Sequence, residues 1–119
     1  MKMVISIFKE KSLPEQFWDK FDFTPGSIHY KETFCDEDML LVNYPRDIIL
    51  DAGFYCGTFV VYIIFNYIWE VPVAVYHCKK EENFEKIINL AIEQVKKELE
   101  IKRLSNYGKI WDTIKIGLE

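Results

Sequence analysis

From Ala52 to Trp69, between Asp51 and Glu70, the chain runs for 18 residues without a charge. A membrane helix needs about 20 apolar residues, so the reading of this run decides the class of the whole fold. Its composition opposes a membrane span. Gly53, Gly57 and Asn66 interrupt it, β-branched and aromatic residues dominate the rest, and its flanks are acidic where a span would carry Lys or Arg anchors. Cys56-Gly57 sits in the middle like a hairpin turn, which predicts strands over Ile48–Tyr55 and Thr58–Asn66. A third strand over Val71–Cys78 completes an antiparallel meander, joined through a loop around Tyr67-Ile68-Trp69. The stretch Thr58–Phe65 shows no polar alternation, which places it at the sheet centre with both faces covered.

The flanking segments supply the rest of a sheet and its cover. Strands are expected over the first nine residues, over Ile28–Phe34 and over Met39–Tyr44. The run Asp36-Glu37-Asp38 belongs on a loop, because adjacent carboxylates resist joint burial without cations. Ser12-Leu13-Pro14-Glu15 has the form of a capping box and predicts a short helix to about Phe21, with Phe17 and Phe21 on one face. Thr24-Pro25-Gly26-Ser27 predicts a turn with positive φ at Gly26. From Asn83 to about Arg103, Phe84, Ile87, Ile88, Ala91, Val95 and Leu99 recur at helical spacing, while Glu85, Lys86, Glu93, Lys96, Lys97, Glu100 and Lys102 form a solvated face. Glu93 with Lys97 and Glu98 with Lys102 stand at the favourable four-residue order. Ile110–Ile116 alternates enough for a last edge strand, with a short helix as the close second reading. The expected architecture is therefore α+β: a single domain over residues 1–119 with an antiparallel sheet of five to six strands, a long C-terminal amphipathic helix packed on it and a short N-terminal helix.

Charge and motifs narrow the chemistry. The net charge is −4, which disfavours direct nucleic-acid binding. The excess is uneven: residues 1–78 hold six basic and eleven acidic residues, whereas residues 79–119 hold nine and eight. Three cysteines, Cys35, Cys56 and Cys78, without C-x-x-C spacing suggest neither a disulfide framework nor a zinc knuckle and fit a reducing, cytoplasmic setting. The short apolar N-terminus is broken by Lys9, Glu10 and Lys11 and does not read as a signal peptide. His77 and Cys78 are neighbours on a strand, so they point to opposite faces, and no metal or cofactor is expected. Asp47 and Asp51, if both on a strand, share a face about 13 Å apart, too far to share a proton, and solvent exposure accounts for them. No phosphate loop, nucleophile elbow or zinc-protease motif occurs, and no enzymatic activity is expected.

Acidic residues in the sheet half lie among amphipathic rings: Asp36, Glu37, Asp38, Asp47, Asp51 and Glu70 with Tyr44, Tyr55, Tyr67 and Trp69. Such a mixture suits a surface that steers and anchors a cationic protein, and it also suits polar loops around core rings. The stretch Tyr44-Pro45-Arg46-Asp47-Ile48-Ile49-Leu50-Asp51-Ala52-Gly53-Phe54-Tyr55, then Gly57-Thr58-Phe59-Val60-Val61 and Ile68-Trp69-Glu70-Val71-Pro72, resembles small bacterial immunity proteins encoded beside polymorphic or contact-dependent growth-inhibition toxins. The shared features are an Asp-x-Gly-aromatic-Tyr core and a later Trp-Glu-x-Pro element, over roughly the middle third of the chain. That resemblance implies a cytoplasmic binding protein that holds a cognate basic toxin domain, a nuclease by charge logic, in a heterodimer and covers its active site without catalysis. The expected toxin-binding residues are Asp36, Glu37, Asp38, Asp47, Asp51, Tyr55, Tyr67, Trp69 and Glu70. Two alternatives remain at this level: a small-molecule-binding domain or small hydrolase with a pocket lined by Tyr30, Tyr62, Tyr76 and Trp111, and a homodimer paired through sheet edges.

Overall fold

A computed structural model of the chain describes residues 11–101 and 112–119. The expected strand over residues 1–9, the residues Lys102 and Arg103 at the end of the predicted helix, and Trp111 lie outside them. Six strands follow in order: β1 Ser27–Lys31, β2 Leu40–Tyr44, β3 Ile48–Tyr55, β4 Thr58–Phe65, β5 Ala74–Cys78 and β6 Ile114–Gly117. They hydrogen-bond in sequence order across one sheet, antiparallel from β1 to β5. The uncharged run thus folds as most of a β-hairpin, and no helix among the described residues is long and apolar enough to cross a membrane.

The sheet is mixed rather than wholly antiparallel, because β6 pairs parallel to β5 at the edge. A parallel neighbour needs a crossover. The helix α1, Glu81–Ile101, supplies it and packs across β3, β4 and β5. Its apolar stripe meets the sheet through Phe84, Ile87, Ile88, Ala91, Ile92 and Val95, all buried. The facing sheet residues alternate as a pleated surface requires: Leu40, Val42 and Tyr44; Ile48, Leu50 and Ala52; Phe59, Val61, Ile63 and Phe65; Ala74, Tyr76 and Cys78. His77, between Tyr76 and Cys78, is exposed on the other face, as expected.

One end of this core is closed by a short 3-10 turn, Phe17–Lys20. Phe84 stacks between Phe59, with ring centroids 4.3 Å apart, and Phe17, at 5.5 Å, while Trp18 meets it edge-on at 5.8 Å. Phe17 and Phe21 adjoin at 5.4 Å as the helical spacing requires, but the capping box does not form. Ser12 instead makes an isolated bridge to Phe34, and the Leu13 N–H donates to the Thr33 carbonyl at 2.8 Å, so backbone pairing occupies the residues that would have started a helix. Gly26 does not adopt positive φ; its need is space, since a Cβ there would stand 2.6 Å from Val42 Cγ1.

Two details of α1 bear on stability. Glu98 is 0% exposed rather than solvated, because it lies seven residues after Ala91 on the apolar stripe; its Oε2 accepts a hydrogen bond from Gln94 Nε2 at 2.6 Å. At the far end, Arg46 Nη1 donates to the Leu99 carbonyl at 2.8 Å and so satisfies one of the carbonyls that a helix C-terminus leaves open.

Candidate functional site

The predicted site residues fall into two groups. Between Ile48 and Tyr55 β3 advances about 23 Å, at about 3.3 Å per residue. Asp36, Glu37, Asp38 and Tyr55 gather towards its C-terminal end and Asp51 lies midway. Asp47, Tyr67, Trp69 and Glu70 sit beyond its N-terminal end, where the Asn66 N–H donates to the Asp47 carbonyl at 2.9 Å. The single acidic and aromatic face expected from sequence is therefore two patches. Asp47 is not on a strand: it belongs to the Pro45–Asp47 turn, with φ of 59°, so the premise of a shared strand face with Asp51 does not hold.

The second patch is an exposed loop. Asn66 and Tyr67 both take positive φ, which closes a tight turn from Phe65 to Ile68 and leaves Tyr67 64% and Trp69 44% exposed.

At the first patch the acidic loop is fastened to the sheet. The Met39 N–H donates to the Ala52 carbonyl at 3.0 Å, and the Phe54 N–H donates to the Asp36 carbonyl at 2.7 Å. These bonds carry the β2 and β3 pairing past Leu40 and bring Glu37 over Gly53, where any Cβ would overlap the Glu37 carbonyl oxygen. Gly53 is thus required by close backbone approach. The Asp36 carboxylate accepts the Glu37 N–H at 2.7 Å, which fixes the turn of the loop. Asp36, Glu37 and Asp38 are exposed above this frame.

Beneath them, on the face opposite α1, the strand register aligns a row of side chains: Tyr30 in β1, Leu41 in β2, Asp51 in β3 and Tyr62 in β4. Tyr30 reaches this face through a bulge. Ile28 pairs with Val42, whereas Tyr30 pairs with Leu41, so the two residues occupy opposite faces although they stand two apart.

Asp51 is 9% exposed, which corrects its assignment as a solvent-facing carboxylate. Burial, reinforced by the Asp38 carboxylate and partly offset by the Ala52 N–H, pushes its pKa up to about 6. Tyr30 is pushed up to about 12 by burial and then by Asp38 and Asp51, and Tyr55 also to about 12 by burial, then Asp51, Tyr62, Asp38 and Glu37. Asp38, Asp51, Tyr30, Tyr55 and Tyr62 consequently share one electrostatic environment. The buried Tyr30 hydroxyl has the Asp38 carboxylate as its hydrogen-bonding neighbour, at a geometry looser than an ordinary hydrogen bond.

Among the described residues, four lysines form ion pairs, all of them elsewhere: Lys11 with Glu81, Lys20 with Glu85, Lys31 with Asp19 and Lys80 with Glu119. Among the described residues no Lys, Arg or His lies within ion-pair distance of Asp36, Glu37, Asp38 or Asp51. No group of three or more His, Cys, Asp or Glu side chains among the described residues could hold a metal ion.

Tyr30 and Tyr62 line the Asp51 face, but Tyr76 is buried on the opposite face against α1, so these three rings do not line one pocket. Tyr30 and Tyr62 joined the Asp51 group only in three dimensions: strand alternation could have placed Tyr62, whereas the bulge hid Tyr30. Set against protein-family models, curated proteins and solved structures, the chain matches none of them.

Proposed function

We propose that this protein is an immunity-type inhibitor that binds a cognate basic toxin domain, a nuclease, as a heterodimer in the cytoplasm and covers its active site, performing no reaction itself. The occluding surface is the acidic end of the sheet, built from the exposed Asp36, Glu37 and Asp38 with the half-buried Tyr55, and Asp51 lies buried beneath it. One observation carries this reading: three exposed carboxylates stand on a hydrogen-bonded backbone frame above the buried Asp51, with no ion-pairing cation beside them among the described residues. A surface of that kind complements a cleft that binds phosphates, because both present negative charge to the same basic groups. The resemblance over the middle third of the chain points to the same class of partner. Tyr67, Trp69 and Glu70 form a second patch that a large partner can reach independently.

The test is co-expression with the basic toxin domain encoded immediately upstream. Growth rescue together with a co-purifying pair is expected, and Asp36→Lys, Glu37→Lys and Asp38→Lys combined should slow association at low salt. Rescue without a physical complex rejects occlusion.

A second reading, a small hydrolase, draws on Asp51 alone: a buried carboxylate titrating near 6 beside Asp38 has the protonation behaviour of a general acid or base. Turnover of a small ester or glycoside by the purified protein, abolished by Asp51→Asn, would favour that reading over inhibition.

A further inference from the structure

We infer that the exposed loop beyond the N-terminal end of β3 is a second docking surface, separate from the occluding end, for an arginine-bearing extended segment of a partner. Tyr67 and Trp69 stack on its guanidinium groups, and Asp47, Glu70 and Asp112 pair with them. The inference goes beyond the inhibitor reading and does not depend on it.

The rings come first. Tryptophan is highly buried in most folds, yet Trp69 is 44% exposed, and Tyr67 beside it is 64% exposed. Both rise from one short turn, in which the Ile68 N–H donates to the Phe65 carbonyl at 3.1 Å and the Trp69 N–H donates to the Tyr67 carbonyl at 3.1 Å. Tyr67 holds its place at φ of 59°, in the left-handed region where glycine fits and a large side chain is strained. Little burial of its ring offsets that strain, so the fold by itself would be served better by glycine. A strained, solvent-facing ring is accounted for by what it meets outside the molecule.

The charges around the rings have one sign. Asp47 lies against the turn, since its carbonyl accepts the Asn66 N–H; Glu70 follows Trp69 directly; and Asp112 precedes Thr113, whose hydroxyl donates to the Pro72 carbonyl at 2.7 Å. All three are exposed, and among the described residues none of them forms an ion pair. The neighbouring Arg46 is engaged with α1, because its guanidinium donates to the Leu99 carbonyl. A second copy of the chain would set the same carboxylates against one another, which opposes a symmetric dimer through this loop. A cationic partner is complementary to it.

Arginine suits this surface better than lysine. Its planar guanidinium stacks on an aromatic face while its N–H edge reaches a carboxylate, whereas an ammonium is a more strongly hydrated point charge. Tyr67, Trp69 and Glu70 follow one another along the loop, so an extended segment can meet them in turn.

The experiment is an NMR titration of the purified protein with an amidated tetra-arginine peptide, whose backbone spans at most about 14 Å and cannot lie on both ends of β3, about 23 Å apart. Saturable shifts are expected at the amides of Tyr67, Ile68 and Trp69. With affinity read at the Ile68 amide, amidated tetra-lysine should bind at least about threefold more weakly, and Tyr67→Ala with Trp69→Ala combined should weaken tetra-arginine roughly tenfold. Asp36→Lys, Glu37→Lys and Asp38→Lys combined should leave that affinity within about twofold. Both rings are exposed, so the alanine variant keeps its fold, and unchanged amide shifts in α1 verify it. Saturation confined to the Asp36–Asp38 end, equal affinity for the two peptides without loss in the alanine variant, or no saturable shift at all overturns the inference. No toxin domain enters the titration, so failure of the inhibitor reading leaves this result standing, and failure here leaves the occluding end to be judged by co-expression.

Discussion

Gly53 lies directly beneath the backbone carbonyl of Glu37, so close that any side chain at position 53 would overlap that oxygen. The same crossing is held on either side by the hydrogen bonds from Met39 to Ala52 and from Phe54 to Asp36. Gly53→Ala must therefore push the acidic loop off the sheet. It should cost about 1–3 kcal/mol in urea denaturation and weaken partner binding as well. Gly57→Ala is the control: its φ of 85° strains a side chain, but nothing lies within 4 Å, so about 1 kcal/mol should be lost with binding intact.

Asp51 yields a pH signature of defined sign. Its pKa is raised from 3.8 to about 6, so the folded state favours the protonated acid, and its burden on stability is absent at low pH and grows as pH rises from about 4 through about 6. Asp51→Asn removes that burden. The variant should be more stable than the parent by about 3 kcal/mol at pH 7, from two units at 1.4 kcal/mol each, and nearly equal to it at pH 4. Denaturation curves at pH 4, 5 and 7 measure the difference. A variant that folds better and binds worse identifies a residue held for recognition at the expense of stability.

Arg46 ties the turn between β2 and β3 to the end of α1 through the Leu99 carbonyl. Arg46→Ala should cost about 1–3 kcal/mol and speed amide exchange in the last turn of α1, leaving its first turns unchanged. Its own φ of 67° makes Arg46→Gly the informative companion, since glycine relieves the backbone while still removing the cap.

The two patches make opposite predictions. Trp69 and Tyr67 are exposed, so Trp69→Ala and Tyr67→Ala should each change stability by no more than about 0.5 kcal/mol. If the acidic end is the occluding surface, Trp69→Ala should leave affinity within a few-fold, whereas Asp38→Lys should reduce it strongly in surface plasmon resonance at low salt.

Much of the fold was legible because local chemistry and global packing agree in it. Cys56-Gly57 set the hairpin, with both residues at positive φ as such a turn demands, and the bounds of β3 follow from it. The spacing of Phe84, Ile87, Ile88, Ala91 and Val95 located α1 and its buried face. The failures have identifiable causes. Ser12 and Glu15 satisfied a capping pattern, yet nearby backbone groups found Thr33 and Phe34 across the chain, and tertiary pairing overrode the local signal. Asp51 marks the boundary of the uncharged run in sequence but the interior of a strand in space, so its charge was read as exposure. Nor can residues close in sequence be assumed to share a surface, since the hairpin returns Tyr67 and Trp69 to the end of the sheet opposite Tyr55. The parallel pairing of β6 was illegible for a different reason: its register depends on where α1 delivers the chain, and no local pattern encodes that.

Titration calorimetry of the purified protein against the proposed partner, a basic nuclease domain, with that domain's activity followed in the same mixtures, tests the central claim most directly. One-to-one binding that weakens with added salt, and loss of nuclease activity in step with complex formed, is the predicted result. No binding heat, or a saturated complex that still cleaves nucleic acid at full rate, would contradict it.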